Sequence, residues 1–201
     1  MQKEQEIQKI VQLLNEGAII LYPTDTVWGI GCDALNKDAV QRLFKIKQRM
    51  EDKSVIVLID SVDRLADFVP NKSTELFNLL TNAKEPQTVV FPVVENLPIG
   101  VVNQNGSGAF RIPKHEFCLK LLKAFKKPLV STSANVSGEK TPLYYEDISP
   151  EIKEKMDYIV PTFFEGSATH KPSQIVLVLP DGKIQFIRKW FLTRLFLKKR
   201  V

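Results

Sequence analysis

The chain has 201 residues, 44% of them hydrophobic and 25% charged, which suits one globular domain able to bury a real core. Lys and Arg outnumber Asp and Glu by 28 to 23, a net charge of +5, so acidic partners are favoured, nucleotide phosphates or RNA alike. Cys32 and Cys118 have no His or Cys at metal-ligand spacing, which argues against a disulfide framework or a zinc site and leaves two core thiols. No run approaches the roughly 18 apolar residues of a membrane span, and Met1–Glu6 lacks the apolar region of a signal peptide. The expectation is a cytoplasmic protein with no membrane partner.

In chain order, Ile7, Ile10, Val11 and Leu14 fall at helical spacing and Gly17 follows as a stop, predicting a helix over 3–16. Residues 18–22 (AIILY) read as a buried strand ended by Pro23. Thr24, Asp25 and Thr26 then offer hydroxyls and a carboxylate before Gly29 and Gly31 let the chain turn. The two threonines also fit simple turn residues bonding their own backbone. Asn36 caps a predicted helix whose apolar face is Ala39, Val40, Leu43, Phe44 and Ile46. Lys47 and Arg49 sit at its end, with Lys53 leading into a strand at 54–60. Cations there suit the helix macrodipole as well as a ligand.

Two short helices are expected next, one holding Val62, Leu65, Ala66 and Val69, the other capped by Ser73. Residues 88–91 read as a strand. Residues 99–102 and 109–112 flank a turn-rich NQNGSG and predict a hairpin. Arg111 alternates with Phe110 and Ile112, so it faces the other way from both, as a solvated side chain would. A helix is expected over 117–125, with His115 at its start as a surface or capping residue. The 128–130 strand should end in the polar loop Ser131–Gly138 (STSANVSG), a place to hold a polar ligand. A mostly polar helix at 147–156, a strand at 158–160 and a loop at 163–170 follow. Residues 174–179 and 183–188, joined through Pro180, Asp181 and Gly182, form a second predicted hairpin. Residues 191–201 read as a basic apolar tail, a packing extension to a domain spanning 1–190.

Three stretches in this order, Tyr22–Gly29 (YPTDTVWG), Lys47–Arg49 (KQR) and Ser131–Gly138, make the chain resemble the YrdC-like family of threonylcarbamoyl-AMP synthases. The resemblance runs from about residue 16 to 188 and takes in softer matches at Gly106–Pro113, Lys171–Val176 and Arg188. It implies a single-domain α/β fold, a twisted mixed sheet with helices on its faces around a basic cavity. It also implies a reaction: L-threonine, bicarbonate or carbon dioxide and ATP give threonylcarbamoyl-AMP and pyrophosphate for tRNA threonylcarbamoyladenosine formation with partner proteins.

By the same resemblance Lys47 and Arg49 are the catalytic cations. Arg49, Lys53, Ser107, Ser131, Ser133, Asn135, Thr141 and Arg188 are the ATP-side candidates, and Thr26, Arg111 and Ser173 hold threonine. Such chemistry needs positive charge and alignment rather than a protein nucleophile, with Mg²⁺ arriving on ATP. The chain departs from the family pattern at Lys84–Thr88 (KEPQT) and at Gln174–Leu177. Those departures keep open a nucleotide-binding paralogue with another acceptor. A second alternative is a double-stranded RNA or tRNA-binding module, although no aromatic platform is interleaved with basic residues.

Overall fold

The computed structural model describes residues 2–48, 55–70 and 74–188. Helix α1 (Gln2–Asn15) leads through Gly17, at φ 86°, into strands β1 (Ile20–Tyr22) and β2 (Gly29–Gly31). Helix α2 (Lys37–Ile46) starts where the Asn36 side chain accepts from the Ala39 N–H at 3.0 Å. Strand β3 (Ile56–Leu58) and helices α3 (Val62–Leu65) and α4 (Thr74–Thr81) follow, then β4 (Gln87–Phe91), β5 (Gly108–Arg111), α5 (Glu116–Phe125) and β6 (Leu129–Ser133). Helix α6 (Pro150–Glu154), β7 (Tyr158–Ile159), β8 (Gln174–Val178) and β9 (Ile184–Arg188) complete the described chain.

The strands form one mixed sheet in the order β7-β1-β2-β6-β3-β5-β4-β8-β9. Pairs β1/β7, β3/β5 and β4/β8 are parallel and the others antiparallel. Because side chains alternate along a strand, register partners share a face. Val130, Val57, Phe110 and Val89 are successive partners across β6, β3, β5 and β4, and all are buried in one core with α2, α3, α4 and α6. On the opposite face, Ile20, Tyr22, Leu58 and Leu129 are covered by α1 and α5 in a second core. The rest of that second face is left for a cavity.

Cys32 and Cys118 are free and buried. Burial pushes both thiols up to about 12. Acids whose folded pKa is raised keep their protons while the unfolded chain loses them, so stability should fall as pH rises through about 8.5, the ordinary thiol value. A disulfide thiol reagent at pH 8 should find no reactive thiol in the native protein and two after unfolding. Labelling of the native chain at the rate of free cysteine would contradict that environment.

Gly31 has a different burden. An added Cβ would lie 2.3 Å from the Val130 carbonyl oxygen and 2.8 Å from the Tyr22 ring. Backbone cannot give way cheaply, so Gly31→Ala should cost about 2 kcal/mol, a melting temperature lower by roughly 6 °C. An unchanged melting curve would show that β2 and β6 lie farther apart than this.

Some sequence expectations are corrected. Residues 99–102 are no strand: they form an isolated bridge, Ile99 to Val102, with Gly100 at φ 94° and Val101 fully buried. The antiparallel partner of β5 is therefore β4, through the long 92–107 connection. Strand β6 continues through Ser133 instead of ending at Val130, because Ser131 pairs with Ile56 and Ser133 with Gly29. His115 is only 4% exposed; it occupies the position before α5 but its side chain caps nothing there, and Nε2 lies 2.6 Å from the Glu165 carbonyl. The expected helix at 147–156 shortens to α6. The Ser73 cap and the 191–201 tail lie outside the described residues.

Candidate active site

A cavity of about 280 Å³ occupies the open part of the second sheet face. Its floor is a row of register partners, Ser131, Ile56, Ala109 and Val90, on adjacent strands β6, β3, β5 and β4. Thr88 and its partner Ile175 extend the row towards β9. There a register shift at Ile175/Val176 leaves Ile187 as the extra residue in β9, so Phe186 partners core-facing Val176 while Arg188 partners cavity-facing Ile175. The bulge thus turns Arg188 into the cavity, where Nε donates to the Ser173 carbonyl at 2.8 Å. Burial lowers the pKa of Arg188 from its ordinary value.

Two residues beyond Ala109 on the same face of β5 stands Arg111, the last residue of that strand and 4% exposed. One of its terminal nitrogens is ion-paired with the Asp25 carboxylate, and the other donates to Thr26 Oγ1 at 3.2 Å. Its Nε has no hydrogen-bond partner among the described residues. Burial pulls the guanidinium down to about 10, which leaves it charged at neutral pH. The second Asp25 oxygen accepts from the Lys114 N–H at 2.9 Å. Thr24 and Thr26 hydroxyls lie 2.9 Å apart, and Thr24 Oγ1 donates to the Val27 carbonyl at 2.7 Å. The turn role and the cavity role therefore coincide at these threonines, since both also line the cavity.

Seven of the residues singled out from sequence meet in this one space: Thr26, Arg111, Ser131, Ser133, Thr141, Ser173 and Arg188. Ser173 Oγ is 2.8 Å from Thr88 Oγ1, so the divergent 84–88 stretch still delivers a hydroxyl to the wall. Three others are placed elsewhere. Lys47, 1% exposed, points its ammonium at backbone carbonyls, those of Ser133 and Asn135, the latter at 2.5 Å. The Asn135 amide donates to the Val136 and Glu139 carbonyls at 2.8 and 2.9 Å. Ser107 bonds within its own turn, donating to Asn105 Oδ1 at 2.7 Å and accepting from Asn103 Nδ2 at 2.8 Å. Arg49 and Lys53 lie outside the described residues.

Sequence reasoning passed over Trp28. The residue lines the cavity, and its buried indole packs 4.9 Å from the Tyr145 ring and donates to Glu165 Oε1 at 2.8 Å. Among the described residues, the Arg111 charge at the cavity is offset by the Asp25 carboxylate. The apolar share of the wall, Val27, Val90 and Ile175, comes from strand alternation and nearby loops.

The Sua5/YciO/YrdC family model, described as "Telomere recombination", matches residues 12–189. This chain belongs to the Sua5/YciO/YrdC family. Among its relatives, a protein of Xanthomonas axonopodis pv. citri (strain 306) named threonylcarbamoyl-AMP synthase is 36% identical over 85% of this chain and 91% of its own length. Another so named, from Pseudoalteromonas translucida (strain TAC 125), is 35% identical over 92% of this chain and 98% of its own. Of solved structures, P. abyssi Sua5 complexed with L-threonine superposes with a TM-score of 0.81 at 28% identity over 90% of this chain. This chain spans about half of that Sua5 chain, 53% of it. Escherichia coli YciO shares the fold, with a TM-score of 0.74 at 21% identity over 93% of this chain and 89% of its own.

Proposed function

We propose that this Sua5/YciO/YrdC protein is an L-threonylcarbamoyladenylate synthase, a nucleotidyltransferase acting on L-threonine, bicarbonate or carbon dioxide, and ATP. The observation that carries the reading is one cavity that gathers two guanidinium groups, Arg111 and Arg188, with the hydroxyl residues Thr26, Ser131 and Ser133. Arg111 with Thr26 suits an amino-acid carboxylate, to which the guanidinium offers the donor left on Nε. Arg188 and the serine hydroxyls suit the phosphates and ribose of a nucleotide.

Threonine's amine adds to carbon dioxide to give N-carboxythreonine. A carboxylate oxygen of that carbamate attacks the α-phosphorus of ATP, forming a new O–P bond as the bond to the pyrophosphate oxygen breaks. The attacking group is already anionic, so no protein nucleophile is required and the task is to align two anions that repel. Mg²⁺ on the ATP phosphates would supply charge neutralisation. The hydroxyl residues Ser131 and Ser133 of the cavity are the proposed protein contacts near the phosphates. Arg49 and Lys53 are proposed to add cationic contacts to the polyphosphate. Transfer of the product to tRNA would fall to partner proteins, in a cytoplasmic setting. No helix among the described residues is long and apolar enough to cross a membrane.

The deciding experiment incubates the protein with ATP, threonine, bicarbonate and Mg²⁺. Pyrophosphate release should depend on both threonine and bicarbonate, with the adenylate seen by mass spectrometry. Serine should be poorer by roughly tenfold, lacking the methyl group that an apolar wall can contact. Orthophosphate release independent of threonine, or RNA binding with no nucleotide turnover, would exclude the synthase.

A further inference from the structure

A second cavity, of about 360 Å³, opens where α1, the start of α5 and residues 163–167 meet. None of the residues lining it lines the first cavity. Its wall combines an exposed aromatic ring, several ammonium groups and one buried hydrogen-bond acceptor without a donor.

Phe163 is 50% exposed, although its ring packs 4.6 Å from Phe164, which in turn lies 4.6 Å from Phe117. The Lys3 ammonium stands 6.0 Å from the Phe163 centroid and 5.7 Å from that of Phe164. Lys114 donates to the backbone carbonyls of Ala83 and Lys84, which leaves its charge unmatched by either. Lys120 is paired with Glu116 at 2.7 Å, and Glu4 acts on it from farther away, so the carboxylates offset part of the positive charge. Helix α5 starts here with no side-chain cap, and its first residues, Glu116 and Phe117, line the cavity.

His115 supplies the independent sign of a ligand. It lines the cavity, is 4% exposed, and its Nδ1 has no partner among the described residues. Because Nε2 lies 2.6 Å from the Glu165 carbonyl, that nitrogen carries the proton, and Nδ1 is left as a bare acceptor. Burial lowers the histidine's pKa and so favours this neutral form. A buried acceptor with nothing to accept from is costly unless an outside N–H or O–H reaches it.

We propose that this cavity is a second ligand site, for a nucleoside monophosphate, separate from the reaction cavity. The base stacks on the exposed face of Phe163, the phosphate sits among the lysines at the start of α5, and a base amino or ribose hydroxyl group donates to His115 Nδ1. An inorganic anion would use only the lysines, and an uncharged nucleoside only the ring and the histidine.

The test is calorimetric titration of the full chain with AMP while the reaction cavity is saturated with an ATP analogue that cannot be cleaved between its α- and β-phosphates. One further equivalent of AMP should bind. Phe163→Ala and Lys120→Gln, both at half-exposed side chains, should each weaken it about tenfold, whereas Ser133→Ala in the reaction cavity should leave it unchanged. Inorganic phosphate and adenosine should each bind at least about tenfold more weakly than AMP. The proposal is overturned if no second equivalent is found, if it survives unchanged in both cavity variants, or if Ser133→Ala removes it. Phosphate binding as tightly as AMP would leave only an anion site. A short single-stranded RNA that binds where AMP does not would replace the free nucleotide by a polymer.

Discussion

Replacing Lys47 by Ala should lower the melting temperature by about 10 °C and cut adenylate formation with it. The ammonium at the end of α2 donates to the Ser133 and Asn135 carbonyls, and the Lys47 carbonyl accepts from the Ser137 N–H at 2.9 Å. Helix α2 is thereby fastened to the end of β6, where Ser133 lines the cavity, and to the segment that follows it. Charged hydrogen bonds contribute about 1.5–3 kcal/mol each, and losing the donor strands two carbonyls in a place where Lys47 itself is 1% exposed. The sum is about 4 kcal/mol, which in a chain of this size gives the stated shift. Lys47→Met keeps the apolar stem but not the charge, and should lose nearly as much. Thermal melts beside the pyrophosphate assay decide the role. If both variants melt normally yet turn over at least about a hundredfold more slowly, the ammonium acts on the phosphates directly and the structural assignment of Lys47 fails.

That residue shows where sequence reading stopped. The order of elements was legible because apolar periodicity is local: Ile7, Ile10 and Leu14 bury one face of α1, and Asn36 caps α2 where its position implied. The hydroxyl-rich Ser131–Ser133 stretch was read as a loop, yet it is strand, because non-local pairing with Ile56 and Gly29 outweighs polar composition. The run at 99–102 erred in the opposite direction, being apolar and buried without forming a strand in the sheet.

Membership of the cavity was legible for the residues that motif order placed there, and strand alternation explains it for Arg111, Ser131 and Ser133. It was not legible for Lys47, Asn135 or Ser107, whose polar atoms are engaged by backbone or by neighbours in a turn. Nor does any spacing announce that Asp25 neutralises Arg111, or that a bulge beside Ile187 reverses the face of Arg188. Both depend on three-dimensional register.

Arg111→Ala should raise the KM for threonine about a hundredfold while changing ATP binding little, and it should also destabilise the fold by about 3 kcal/mol. The two effects have different origins. Stability falls because Asp25, buried and still accepting from the Lys114 N–H, loses its counter-charge. Threonine use falls because its carboxylate loses a guanidinium that is charged at neutral pH and has a donor free on Nε among the described residues. Asp25→Ala should destabilise to a similar extent by leaving the Arg111 cation unpaired. The double variant separates the two roles, since removing both charges eliminates the orphaned partner. Its melting temperature should recover most of the loss, whereas its KM for threonine should stay as high as that of Arg111→Ala. If the double variant regains threonine affinity together with stability, Arg111 serves only as the partner of Asp25, and the carboxylate of threonine must be held elsewhere in the cavity.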